Sequence, residues 1–195
     1  MATLRPFGPG PAVDPFCLEG WVGRQDEALR IRYRLRGPLE QLVLGEPSAD
    51  PQRRDGLWQS TCFEAFLGVV GERQYWELNL SCSGDWNLYR FEGYRSGGGE
   101  EPWIQALPIV LQRSATQLDL ELSLPWGGWL TTVDPRLELS LTAVLEHRQM
   151  GCQYWALRHC AAEPDFHQRS SFIAVEQLHS GPVPEGHQAE ITGER

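Results

Sequence analysis

The chain has 195 residues, enough to bury a sizeable apolar core without help from metals or disulfides. Its formal net charge of -9 repels phosphate backbones and anionic lipid surfaces, which argues against nucleic-acid and membrane partners. The 20 glycines, 14 prolines and 8 tryptophans suit a turn-rich β protein with aromatic anchors rather than a helical one.

Residues 1–17 carry Pro6, Pro9, Pro11 and Pro15. Proline removes a backbone donor and resists both helix and central strand, so these residues are expected to form an extended lead-in. No apolar h-region follows Met1, and no stretch approaches the roughly 20 apolar residues of a spanning helix. A cytoplasmic location is therefore expected. From residue 18 to 178 the dominant period is two. Leu29, Ile31, Tyr33 and Leu35 alternate with arginines; Leu118, Leu120, Leu122 and Leu124 alternate with polar residues; so do Leu137, Leu139 and Leu141. Such runs bury one face and wet the other. Turn clusters at 45–56, 68–73, 82–85, 96–101 and 126–128 separate them. The expected fold is an all-β antiparallel β-sandwich of the jelly-roll or immunoglobulin-like kind. Residues 179–195 are polar and read as a flexible tail. The five cysteines (Cys17, Cys62, Cys82, Cys152, Cys160) are odd in number and without CxxC spacing. They are expected to be free, mostly buried thiols in a reducing compartment.

The informative stretch reads as three strands, 57–69, 74–81 and 86–94, joined by short turns into a meander. With a two-residue turn at Val70–Gly71, Glu64 faces Glu77. With a four-residue turn at 82–85, Glu77 faces Arg90. One sheet face then carries Phe63, Ala65, Leu67, Trp76, Leu78, Leu80, Tyr89 and Phe91 as core. The other carries Trp58, Glu64, Glu77, Asn79, Trp86 and Arg90. Aromatic rings beside carboxylates, amides and a guanidinium suit a sugar, whose C–H faces stack and whose hydroxyls need partners. The plainer reading is an exposed salt-bridge ladder, with the tryptophans as packing residues.

The strings RDGLWQSTCFEAFL (54–67), YWELNLSCSGDWNLYRFEGY (75–94) and YWALRHCAAEPDFHQRSSF (154–172) resemble the DOMON-like proteins related to family 9 carbohydrate-binding modules, and among them the bacterial MurB-like subgroup. The resemblance covers residues 18–178 and implies a β-sandwich with a ligand pocket for sugar or haem. It makes Trp58, Trp86 and Trp155 the candidate stacking rings.

Other constellations point elsewhere. His159, Asp165 and His167 have the residue types of a two-histidine, one-carboxylate metal set. Asp165 beside Pro164 equally reads as a turn cap, and this loop could instead rim the ligand pocket. Met150 with a histidine could ligate haem, against a plain hairpin turn. Glu64 and Glu77 could imitate a glycosidase carboxyl pair, but no catalytic motif accompanies them. The expectation is a non-catalytic binder of a sugar-like small molecule, without cofactor. The alternatives are a module docking a protein partner such as a cell-wall precursor enzyme, and a haem- or metal-binding domain.

Overall fold

A computed structural model describes residues 1–8, 14–25, 28–125 and 136–175. The expected turn at 126–128 and tail at 179–195 lie outside them. In chain order the strands are β1 (Ala2–Thr3), β2 (Arg5–Pro6), β3 (Cys17–Gln25), β4 (Ala28–Arg36), β5 (Cys62–Val69), β6 (Tyr75–Ser81) and β7 (Trp86–Phe91). Then come β8 (Gly99–Glu100), β9 (Ile109–Arg113), β10 (Gln117–Pro125), β11 (Leu137–His147), β12 (Gly151–Ala156) and β13 (Ile173–Ala174).

Two antiparallel sheets pack face to face. The first has the order β1-β3-β4-β10-β9. The second has the order β2-β12-β11-β5-β6-β7-β8, with β13 also on β11. Within residues 1–8, β1 and β2 serve the two sheets as short edge strands. The alternation of β4 and β10 is followed residue by residue: their leucines, Ile31 and Tyr33 are buried, and the arginines and acids between them face outward. Those outward charges pair across strands, Arg32 with Glu121 at 2.6 Å and Arg34 with Asp119 at 2.6 Å.

The core between the sheets joins Leu18, Val22, Ile31 and Leu120 to Phe63, Leu78, Leu88, Leu141 and Trp155. Tyr33 crosses it. Its buried hydroxyl donates to the backbone carbonyl of Glu64 at 2.5 Å, which satisfies a polar atom that would otherwise be costly there. β5 and β6 are buried on both faces, apart from half-buried Ser81. Ser140 and Thr142 on the outer face of β11 are likewise fully buried, contrary to the simple one-wet-face expectation. Chain from 157–172 folds back over this outer face.

The turns decide the register. Between β5 and β6, Glu72 N bonds to Val69 O at 3.1 Å and Gly71 takes φ 90°. Arg73 and Gln74 then extend the connection, so Glu64 faces Asn79 and Phe66 faces Glu77. The shift from the expected pairing is two residues, which keeps every side chain on its face. Between β6 and β7, Ser81 N bonds to Asp85 O at 2.9 Å across a turn with Gly84 at φ 92°. Leu80, not Ser81, then faces Trp86. This shift is one residue, and it turns the whole of β7 over.

All five cysteines are unpaired. Cys62 and Cys82 are buried and the other three are exposed, so the expectation of mostly buried thiols is corrected.

Candidate functional site

The outer face of the second sheet carries two adjacent rows. One runs Thr142, Glu64, Asn79, Asn87; the next runs Ser140, Phe66, Glu77, Tyr89, Glu100. Glu64 and Glu77 are therefore diagonal neighbours, with backbones separated by about 7–8 Å. Three segments wall this floor. A 3-10 turn at Leu57–Gln59 supplies Trp58. The loop after β7 supplies Arg95 and Gly98, and β8 supplies Gly99 and Glu100. The 157–172 segment supplies Pro164, Phe166 and His167. Together with Asp55, Phe91, Val144 and Tyr154 they enclose a cavity of about 680 Å³.

Its chemistry is set by burial. Glu64 is 2% exposed, and its Oε1 has no hydrogen-bond partner. Burial, then the Glu77 charge, push its carboxyl well above the ordinary value, against a Thr142 hydrogen bond. Burial also raises Glu77, opposed by the Asn79 amide and the Arg95 charge; Asn79 Nδ2 donates to Glu77 Oε1 at 2.9 Å. Both carboxyls thus hold their protons to higher pH than ordinary glutamates, Glu64 the more strongly.

His167 lies over this pair. Its Nδ1 is 2.8 Å from the Tyr75 hydroxyl, and its Nε2 is 3.6 Å from Glu77 Oε2. Phe66 and Phe91 meet its ring edge-on at 5.0 and 5.2 Å. Burial, then the Arg95 charge, pull its pKa down to about 4, so the ring is neutral at neutral pH. On the opposite wall the Tyr89 hydroxyl donates to Asp55 Oδ1 at 2.5 Å and accepts from Asn87 Nδ2 at 2.9 Å. Burial, then Asp55, push that phenol up. The Trp58 ring packs edge-on to Tyr89 at 5.9 Å and remains 41% exposed.

Of the sequence-selected residues, Trp58, Glu64, Glu77 and His167 line the cavity, with Asn79 fully buried beside Glu77. Four placements are corrected. Trp86 is on the inner face, 3% exposed, with the Arg53 guanidinium 4.5 Å above its ring. Arg90 is opposite Trp76 on that same inner side, so it cannot pair with Glu77. Both errors come from the one-residue slip in β7. Trp155 is in the core, 2% exposed, because it faces Ala143 rather than Val144. His159 is anchored elsewhere, its Nε2 on Arg5 O at 2.9 Å and its ring against Phe7.

Asp165 lies behind the wall. It accepts from the Tyr94 hydroxyl at 2.6 Å, Arg95 Nη2 at 3.0 Å and Gln168 Nε2 at 2.9 Å, and thereby latches the 157–172 segment to the loop after β7. Hydrogen bonds and the Arg95 charge hold its carboxyl below the ordinary value, against a burial effect that is the largest single influence. Met150 is 74% exposed in the β11–β12 turn. Among the described residues no group of three His, Cys, Asp or Glu side chains is placed to hold a metal.

Sequence reasoning missed Tyr89 and Phe91, which it placed in the core, and Asp55, Arg95, Glu100, Tyr154 and Phe166. The alternation of β7 fitted either phase, and only the Ser81–Asp85 turn selected one.

No family model and no curated protein sequence matches the chain. Among solved structures the fold is similar to that of a protein from Bacteroides uniformis ATCC 8492 proposed to bind carbohydrate. The TM-score is 0.63 at 12% identity, over 88% of this chain and 84% of that one. A family 9 carbohydrate-binding module from Caldicellulosiruptor kristjanssonii overlaps less. Its glucose and cellotriose complexes both give a TM-score of 0.43, at 13% and 12% identity, over 75% of this chain and 69% and 67% of theirs. At these identities the likeness is one of fold.

Proposed function

We propose that the chain is a non-catalytic, DOMON-like carbohydrate-binding β-sandwich that takes a sugar in the outer-face cavity. One observation carries this reading. Trp58, Tyr89 and Phe91 converge with the buried carboxyls of Glu64 and Glu77 on a single space of about 680 Å³. That volume falls within the roughly 300–1,000 Å³ of small-molecule sites. Rings at the rim suit the C–H faces of a pyranose, and carboxyls at the floor suit its hydroxyls. Similarity of fold to a protein proposed to bind carbohydrate supports the reading without carrying it.

The test is a glycan array followed by calorimetric titration of the best ligand. Trp58→Ala and Glu77→Gln should each weaken binding by about ten-fold, the scale of a lost buried hydrogen bond or a lost stacking ring. Failure of a broad panel of neutral, amino and nucleotide sugars would overturn the proposal.

A further inference from the structure

The cavity lining holds four carboxyls, those of Asp55, Glu64, Glu77 and Glu100, against the single guanidinium of Arg95. That guanidinium is already matched by Asp165 outside the cavity, at 3.0 Å. Asp55 accepts from the Tyr89 hydroxyl and Glu100 from Asn87 Nδ2 at 3.1 Å. Glu64 is different: its buried Oε1 has no partner. Next to it, Glu77 keeps one oxygen on Asn79, while its other has His167 Nε2 standing off at 3.6 Å, beyond hydrogen-bond length. Glu64 and Glu77 line the same cavity, and each has an oxygen with unused hydrogen-bonding capacity. A buried acceptor without a partner is costly, and a ligand donor is the simplest group to supply one.

We infer that the sugar carries a free amine, and that its ammonium seats between Glu64 and Glu77. This rests on the carbohydrate reading above and narrows it. An ammonium has three donors and no acceptor, which suits two acceptor oxygens. A hydroxyl has one donor, and an N-acetyl group replaces the charge with a carbonyl facing acids. The other titratable or charged groups around Glu64 are the Cys62 thiol on its own strand and Tyr33 from β4, with Asp55, Tyr89, Arg95, Glu100, Tyr154 and His167 lining the same cavity. Tyr33 gives its hydroxyl proton to the Glu64 backbone carbonyl, Cys62 points its thiol at Phe63 O and Asn79 Oδ1, and Glu64 Oε1 receives a hydrogen bond from none of these groups.

Seating a cation there changes the protonation of the floor. In the empty pocket burial lets Glu64 keep its proton to higher pH than an ordinary carboxyl. When the ammonium arrives, the O–H bond of Glu64 breaks, the proton passes to the buffer, and the ligand's charge takes its place. Binding of a pre-charged amino sugar therefore releases protons, and binding of a neutral sugar does not.

The full chain would be titrated calorimetrically at pH 6 with the β-1,4-linked glucosamine trimer, its N-acetylated counterpart and cellotriose. Each titration is run in two buffers of different ionisation enthalpy. The expected result is glucosamine-trimer binding at least about ten-fold tighter than cellotriose. Its enthalpy should differ between buffers in the sense of proton release, and Glu64→Gln should abolish both effects. The buffer comparison on the unaltered chain stands even if that variant fails to fold. Equal or tighter binding of cellotriose or the N-acetylated trimer, with buffer-independent enthalpies, overturns the amine and leaves the carbohydrate reading in place. Binding of none of the three, together with an empty glycan array, overturns both.

Discussion

His167 Nε2 stands 3.6 Å from Glu77 Oε2, and burial acts on the two side chains in opposite directions. The imidazole is pulled down to about 4, while the carboxyl is pushed up. At neutral pH the imidazole is uncharged and stands beyond hydrogen-bond length, so the contact is not an ion pair there. The dominant pH effects on stability follow from these two shifts and from Glu64.

For His167 the folded value lies below the ordinary 6.5. The unfolded chain binds the extra proton first, so stability is unaffected above about pH 6.5 and is lost as pH falls toward 4. The loss approaches about 3 kcal/mol at the low end. Urea melts of the wild type and His167→Gln at pH 7 and pH 4.5 should show the wild type losing more on acidification. Parallel losses would show that the ring is not held neutral.

Glu64 has the opposite sign. Its folded value is raised above 4.5, so the folded chain keeps a proton that the unfolded chain has released. Its contribution is present at low pH and declines as pH rises from about 4.5 through the raised value. Glu64→Gln should therefore gain stability relative to wild type with increasing pH. Melts at pH 5, 7 and 8.5 read the slope, and a constant difference between the two proteins would contradict it.

The two tryptophans flanking the meander should separate binding from folding. Trp58 is on the cavity rim and 41% exposed. Its replacement by alanine should weaken the ligand while shifting the denaturation midpoint little. Trp86 is buried against Arg53, and Trp86→Ala should cost about 3–5 kcal/mol. Thermal melts paired with titrations distinguish them; a stable Trp86→Ala that selectively loses ligand would reverse the assignment.

Arg169 holds the 157–172 segment on the sheet. It donates to Glu138 Oε1 at 2.5 Å, Gln74 O at 3.1 Å and Val69 O at 2.7 Å. It can lie there because position 68 is glycine: a Cβ would overlap the guanidinium. Gly68→Ala and Arg169→Lys should both loosen the segment, since a lysine cannot reproduce the fork of donors. Hydrogen exchange should rise within 157–172 and at Tyr75, whose hydroxyl meets His167, more than in β4 or β10. Uniform exchange changes would refute this division.

The thiols give a simple count. Cys17, Cys152 and Cys160 are exposed, whereas Cys62 and Cys82 are buried. Burial raises Cys62 strongly and Cys82 to about 12, and reactivity needs the thiolate. Alkylation of the native protein should add three labels by mass spectrometry, and five after unfolding. Cys152 should be the slowest of the three, because burial and the Glu146 charge raise its pKa. Native labelling of Cys62 would show that the outer face opens.

Much of the architecture was legible from residue alternation alone. The leucine rows of β4 and β10 could bury one face only as strands, and the assignment of β5 and β6 side chains to their faces survived an incorrect turn because the slip was two residues. Glu64, Glu77 and Asn79 were selected together on that basis, and they share a face. Trp86 and Arg90 were selected by the same argument and failed, because β7 slipped by one.

The order of hydrophobic and polar residues determined by itself that this chain folds as packed antiparallel sheets, since a period of two can bury one side only of an extended strand. Tertiary structure alone decided which side of β7 meets the outer-face cavity, because both sides of that strand are aromatic and a single turn residue selects between them. It alone also brought Asp55, Arg95 and His167 around one cavity: contacts between segments far apart in the chain follow from how the sheets and loops close, and leave no local pattern to read.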